Sequence, residues 1–298
     1  MCLIAFAIGL RPHSPLLLAA NRDEFWQRPT RPLSRWPVGP GRSVVAGQDL
    51  QAGGTWLGFA DDGRVAMLTN VREARGEPAP RSRGELLTLW LGGQADTAQA
   101  LAASVDPTAY GGFNLVLGDV QQGQWHWLSN RPHPEPGADL PLPPGWQGRA
   151  LGPGLYGLSN AALDTPWPKT RRLKQALGTA LTQLDHDPQA PDWRHTVLQA
   201  LTERQTAAPA ELPQTGLPRA QEVGLSAPFV HLPQAGYGTR SSLLARWQGP
   251  AHGGLAVEEW THAPAAAGPG AEHATRWPLA HSAYNTISMA RWGMPTSS

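Results

Sequence analysis

The second residue of this chain, Cys2, is its only cysteine, and it opens an apolar segment that can fold in few ways. Residues Leu3 to Leu10 and Leu16 to Ala20 are two strand-like runs separated by the breaker-rich Arg11-Pro12-His13-Ser14-Pro15. Paired as a hairpin centred near His13, opposed residues sum to about 26, because the loop sets the register. That pairing brings Glu24 opposite Cys2, with Arg22 and Asp23 beside it. If Met1 is removed, one residue carries a thiol and a free α-amine, whose ordinary pKa values are about 8.5 and 7.7–8.0. A terminal amine acting as base is one way to activate a Ser, Thr or Cys nucleophile. Side chains alternate along a strand, so Asn21 and Asp23 share one face and Arg22 and Glu24 the other. The Asn21/Asp23 face is expected to look at Cys2. The competing reading is that Cys2 is a small buried apolar residue, as free cysteines often are.

A length of 298 residues suits one large domain or two modest ones. Net charge is +1 with 16% charged residues, which gives no electrostatic case for nucleic acid or an anionic membrane. A lone cysteine excludes an internal disulfide framework and fits a reducing compartment. The start lacks the basic region and cleavage site of a signal peptide, and no run has the length of a membrane span. A cytoplasmic protein is expected. Trp56, Trp146, Trp167 and Trp277 lie in loop-like surroundings, where they are expected to cap loops or wall a cleft.

Along the chain, Phe25 to Arg42 reads as a loop rich in Pro, Arg and Trp. Ser43–Ala46, Thr55–Ala60 and Val65–Asn70 read as strands that continue an antiparallel meander begun by the hairpin. Arg81 to Ser104 takes helical spacing, with Ser82 and Glu85 placed as a capping box. Gly112–Val120 and Gln124–Ser129 return to strands, and 131–154 reads as a long surface excursion. After a strand at Leu155–Asn160, Pro168–Leu184 carries an apolar stripe of Leu173, Leu177, Ala180, Leu181 and Leu184. Trp193–Glu203 is a second amphipathic helix and Gln205–Leu225 is linker-like. Phe229–Leu232, Tyr237–Ala245 and Leu255–His262 finish as strands, so 1–262 is the expected domain. Residues 263–298, rich in Ala, Gly and Pro, are expected to be a partly mobile tail. Strands at both ends and helices between them predict an α+β fold, with helices covering two stacked antiparallel sheets.

The histidines show no paired metal spacing, so no metal is expected. Gly152-Pro153-Gly154-Leu155-Tyr156-Gly157 matches a dinucleotide fingerprint only by letter, since it follows a Pro-rich loop and opens no helix. What remains are polar residues at strand ends: Asn70, Asn114, Asn160 and Arg240. Asn side chains can donate to a developing oxyanion, and an Arg can hold a carboxylate bidentately. For each Asn taken alone, an Asx turn at the strand end is the favoured reading.

Cys2, NRDE at 21–24, GGTWLG at 53–58, LTN at 68–70, RGELL at 83–87, GGFNLVLGD at 111–119, GLSNAALDTPWPK at 157–169 and YGTRSS at 237–242 together resemble the NRDE family. That family includes the transport and Golgi organisation 2 proteins, and the resemblance covers about residues 1–262. It implies the N-terminal nucleophile hydrolase fold, a four-layer αββα sandwich, laid out like the choloylglycine hydrolases and penicillin V acylases. It further implies Cys2 as nucleophile, Asp23 and Asn160 at its amine, Asn70 at the oxyanion, and Arg240 as the late arginine. Asn21, Arg22, Trp56 and Asn114 are the expected substrate-facing residues. Those enzymes carry Arg where Ala20 stands, so bile-salt or penicillin specificity does not follow. The implied activity is hydrolysis of a linear C–N amide, or a related acyl transfer, without a cofactor. The alternative is a binding protein carrying haem or an acyl-CoA, with Cys2 as an axial thiolate. In either case the partner is a small molecule.

Overall fold

The computed structural model describes residues 2–74, 79–132, 140–187, 192–262 and 282–289. The opening hairpin forms, β1 over Cys2–Ile8 and β2 over Leu16–Phe25. Its register differs from expectation: Cys2 pairs with Arg22 and Ile8 with Leu16, so opposed residues sum to 24. The shift comes from the turn. Gly9, with φ of 63°, donates to the Pro15 carbonyl at 2.9 Å, and Ser14 N–H reaches the Arg11 carbonyl at 3.1 Å. The reversal is therefore centred on Pro12, one residue earlier than the sequence suggests.

The hairpin does not continue into the meander. Seven later strands form a sheet of their own in strict chain order. They are β3 (Thr30–Gly39), β4 (Arg42–Asp49), β5 (Leu57–Ala60), β6 (Arg64–Asn70), β7 (Phe113–Asp119), β8 (Gln124–Ser129) and β9 (Gln147–Ala150). β3 lies where the sequence suggested a loop. A proline cannot donate to a ladder, so Pro-containing strands survive at sheet edges. β3 is such an edge, and its register shifts fall between Arg31 and Ser34 and between Pro37 and Gly39, next to Pro32 and Pro37. β9 likewise builds the opposite edge from the segment read as a surface excursion; residues 133–139 of that segment lie outside the described residues.

The first sheet runs β10 (Gly154–Leu158), β1, β2, β12 (Tyr237–Trp247), β13 (Leu255–His262), β14 (Ser282–Met289), with the two-residue β11 (His231–Leu232) on β12. The chain thus returns after two hundred residues to insert β12 between β2 and β13. A bulge at Arg240 separates the Thr239–Asp23 pair from the Ser241–Arg22 pair. β14 falls within the segment expected to be a tail, and it extends the sheet past residue 262. The rest of that segment, 263–281 and 290–298 with Trp277, lies outside the described residues.

Alternation sorts the side chains into layers. Ile4, Phe6, Ile8, Leu16 and Leu18 face Val45, Phe59, Val65, Met67 and Val116 of the other sheet, forming the central core. Leu3, Ala5, Leu17 and Ala19 face outward against α3 (Pro168–His186) and α4 (Asp192–Leu201). α3 starts with Pro168, whose fixed φ suits a first helical position, and buries the leucine stripe read from the sequence. It seats closely on β10: a Cβ on Gly157 would come within 2.5 Å of the Thr170 methyl. On the far side, α1 (Gly84–Leu91) and α2 (Ala98–Ser104) cover Val44, Ala60, Ala66 and Leu115. Ser82 does not cap α1 with its side chain, and Glu85 instead accepts from Arg81 Nε at 3.0 Å. Thr97 is the side chain that caps α2, accepting from Ala100 N–H at 3.0 Å. The result is the expected α+β arrangement, two antiparallel sheets between helical layers. No helix among the described residues is long and apolar enough to cross a membrane.

Candidate active site at the head of the central strand

Cys2 heads β1 in the interior of the first sheet, between β2 and β10. Directly opposed residues share a face. Cys2 therefore points with Ile4, Ala20 and Arg22 into the space between the sheets, where Trp56 joins the same buried cluster. Asn21 and Asp23 point the other way, towards the helices, which corrects the expectation that this pair flanks the sulfur. Asp23 meets the head of the strand differently. Cys2 is opposite Arg22, so Asp23 lies one residue beyond the described end of the β1–β2 pairing, and its carboxylate is among the charges that act on Cys2.

The electrostatics of this corner are set by burial. Burial pushes the Cys2 thiol up, against the pull of positive charge at the chain terminus; Asp23 adds to the rise, and Arg22 and the Asp23 backbone N–H oppose it. Burial thus works against thiolate formation here, and the positive charges of the terminus and Arg22 work for it. Asp23 is also pushed up by burial, opposed first by the charge of Lys169. Its Oδ1 accepts from the Thr239 hydroxyl at 2.7 Å, and its carbonyl accepts from the Tyr237 hydroxyl at 2.9 Å.

Two of the expected asparagines close on the same point. Ser159 Oγ lies 3.1 Å from the Cys2 carbonyl oxygen and 3.2 Å from Asn160 Oδ1. Asn160 Nδ2 donates to the Asn70 carbonyl at 3.0 Å and reaches its Oδ1 at 3.4 Å. The Asn160 carbonyl in turn accepts Arg72 N–H at 2.7 Å. The ends of β6 and β10, from opposite sheets, are laced together beside Cys2.

The remaining residues sit elsewhere or are already occupied. Asn114, buried on β7, donates to the Ala161 carbonyl at 2.7 Å and accepts from Trp127 Nε1 at 3.2 Å, which anchors the segment after Asn160. Asn21 is fully bonded on the helical side of the sheet, to the Leu201 and Pro228 carbonyls and to Ser242. Arg22 lies on the Cys2 side and donates to Thr30 Oγ1 at 3.2 Å. Arg240 clasps the crossover between the sheets, donating to the carbonyls of Phe25 and Trp26, both at 2.9 Å, and of Arg28 at 3.2 Å. Trp56 and Trp146 are core residues, and Trp167 lies beneath the Arg72 guanidinium, 4.7 Å from its ring centre, so these three do not wall an open cleft.

Sequence reasoning missed three charged residues. Lys169, the second residue of α3, is 1% exposed, and its Nζ has no hydrogen-bond partner among the described residues. Burial pulls its pKa down to about 8, with Asp23 the first charge opposing the fall. Arg72 is buried against Glu222 of α5 (Arg219–Gly224), at 2.5 Å, with its Nε and Nη2 unpartnered among the described residues. Glu222 also accepts from the Thr215 N–H at 3.2 Å and from its hydroxyl. Lysine and arginine are ordinarily surface residues, so nothing local marks these as interior. The one available signal was the closing lysine of the GLSNAALDTPWPK stretch.

With the geometry in view, comparison with known proteins adds the following. The family described as Transport and Golgi organisation 2 matches residues 1–251. The Transport and Golgi organization 2 homolog of Mus musculus is 37% identical over 199 residues, 63% of this chain and 67% of that protein. The Homo sapiens homolog is 37% identical over 180 residues, and the match spans 60% of its length. The Drosophila melanogaster Transport and Golgi organization protein 2 is 27% identical over 259 residues, 81% of this chain and 86% of that one. Among solved structures, the Caenorhabditis elegans N-acylethanolamine-hydrolyzing acid amidase ortholog is similar at 9% identity and a TM-score of 0.38, covering 82% of this chain and 92% of that one. A likeness that loose carries no chemistry across.

Proposed function

We propose, for a chain that belongs to the Transport and Golgi organisation 2 family, that it performs acyl transfer with Cys2 as nucleophile, cleaving a linear C–N amide or a related acyl donor. The observation that supports this reading is the β1–β2 register, which ends on the Cys2–Arg22 pair with Asp23 the next residue along, while Ser159 links the Cys2 carbonyl to Asn160 and Asn160 bonds Asn70. Once Met1 is removed, the Cys2 amine takes the thiol proton and the sulfur attacks the acyl carbon. Asp23 orients that amine. Asn70, whose Oδ1 is turned to Asn160, offers its Nδ2 to the oxyanion. The C–N bond breaks as the amine passes its proton to the leaving nitrogen, leaving a thioester. Water then adds to the thioester and gives its proton to the amine, and the C–S bond breaks as that proton returns to the sulfur, releasing the acid and restoring the thiol. The chemistry needs no cofactor.

The test is an activated acyl ester, p-nitrophenyl butyrate, followed by intact mass and peptide mapping. An acyl adduct on Cys2 that is absent from Cys2→Ala supports the reading. An adduct on another residue, or none at all, contradicts it. Carriage of haem would instead give a Soret shift on hemin titration that Cys2→Ala abolishes, with no acyl adduct.

A further inference from the structure

The end of the sandwich away from Cys2 is not filled. Three chain reversals meet there: the β1–β2 turn, the β7–β8 turn and the connection from β9 to β10. Between them and the last residue of β12 lies a cavity of about 190 Å³, half open to solvent. Ile8, at the far end of β1 from Cys2, lines it. At about 3.3 Å per residue the strand holds the two roughly 20 Å apart, so the cavity is separate from the nucleophile.

Its wall is neutral and offers few polar groups. Among the described residues that line it, none is ionisable. Backbone N–H groups at its edge are already used: Gly9 donates to the Pro15 carbonyl at 2.9 Å, Val120 to that of Gly63 at 3.2 Å and Leu151 to that of Trp125 at 2.8 Å. What the wall presents is ring surface, from Trp125, Trp247, Pro15 and Pro153. Trp125 is held in place from behind. Its ring sits over Gly118, its partner across the β7–β8 ladder, where a Cβ would come within 2.4 Å of it. Gly152, also on the wall, leaves space unclaimed, since a Cβ there would meet nothing within 4 Å.

Size and surface together select a ligand. Voids in protein interiors are few and small, and an apolar one of about 150 Å³ takes up benzene. Sites for drug-sized ligands begin at about 300 Å³, so a haem or a whole acyl-CoA is too large for this one. A charged ligand would meet no countercharge on the wall. A ring packed against tryptophan gains more than its buried area alone supplies, which favours an aromatic molecule over an alkyl chain of equal volume.

We infer that this cavity is a binding site for a neutral, single-ring aromatic molecule, seated among the three turns with any polar substituent at the open side. The inference stands apart from the acyl-transfer reading and survives its failure.

The experiment is a 19F NMR titration of the full chain with 4-fluorobenzyl alcohol as probe, repeated with 1-hexanol as competitor. Wild type should give a saturable shift with a Kd on the order of 1 mM, as suits so small a ligand. Val120→Phe and Leu151→Phe each put a ring of the protein's own into the cavity, from different elements, and should weaken binding by about tenfold or more. Two fillers keep the test decisive if one of them fails to fold. Cys2→Ala should bind as wild type does. A wild-type titration with no saturation by about 20 mM overturns the inference, as does binding that a folded filling variant leaves unchanged. Loss of binding in Cys2→Ala would place the ring at the nucleophile and overturn it as well. A competitor that binds more tightly than the probe would make this an alkyl-chain site and overturn the ligand class.

Discussion

Asn21 and Asp23 are two residues apart on the same face of the same strand, yet they sit in clusters of opposite character. Around Asn21 the bonding is closed. Its Nδ2 holds the Leu201 and Pro228 carbonyls at 2.8 and 2.9 Å, its Oδ1 accepts from Ser242 at 2.6 Å, and Ser242 lies 2.9 Å from His262 Nε2. These neutral bonds tie α4 and the segment before β11 to the sheet. Around Asp23 the groups are charged, and the Lys169 and Arg72 nitrogens named above have donors to spare. Buried polar groups normally find partners, because leaving one unpaired costs on the order of 1–3 kcal/mol. A closed network therefore reads as architecture. An open, charged one costs stability, and its place beside the only cysteine is what the proposed acyl transfer draws on.

The sharpest way to break this contrast is to open the closed cluster. Asn21→Ala leaves two carbonyls and a hydroxyl without their partner, and should lower unfolding stability by about 4 kcal/mol in denaturant titration. The pH profile of Cys2 alkylation should stay where it is. If Asn21→Ala slows alkylation as strongly as it destabilises, the two clusters are one.

In the open cluster, Glu222→Gln leaves the Arg72 guanidinium buried without its carboxylate and should cost about 3 kcal/mol. Replacing both residues by methionine should recover most of that loss. A double replacement as unstable as the single would mean that the pair supplies net stability.

The closed cluster also has a pH signature. Burial holds His262 at about 4, below its ordinary 6.5, so the unfolded chain binds a proton there that the folded chain refuses. The stability linked to this group is fully present above pH 6.5 and is lost as pH falls towards 4, a total of roughly 3 kcal/mol. His262→Gln should flatten the decline over that window by about 2 kcal/mol. A smaller effect, remote from both clusters, comes from Thr97→Ala, which removes the cap of α2 and should cost about 1 kcal/mol with no change in Cys2 reactivity.

How much of this was legible in the sequence differs between the fold and the site. The α3 stripe and the meander strands followed from periodicity, since a leucine every three or four residues, or every second one, declares which side is buried. β3 was hidden by its prolines, and β14 because the short SAYNTISM run lies in a stretch otherwise rich in Ala, Gly and Pro; each pairs as an added strand, on β4 and on β13. The hairpin was visible but its register was not, because one residue of displacement at the turn moves every opposed pair by two. For the site, the convergence of Asn70 and Asn160 on Cys2 came from the motifs of the resemblance. Local pattern could not reveal Lys169, Arg72 or Glu222 as interior, since their burial depends on the packing of α3, α5 and the end of β6.

All of the proposed chemistry presupposes a terminus at Cys2, and one measurement addresses that directly: intact mass and N-terminal sequencing, with the iodoacetamide rate of the same sample at pH 7. The account predicts a chain lacking Met1 whose Cys2 alkylates faster than N-acetylcysteine. A retained Met1, or a thiol that reacts no faster than the free amino acid derivative, would contradict it.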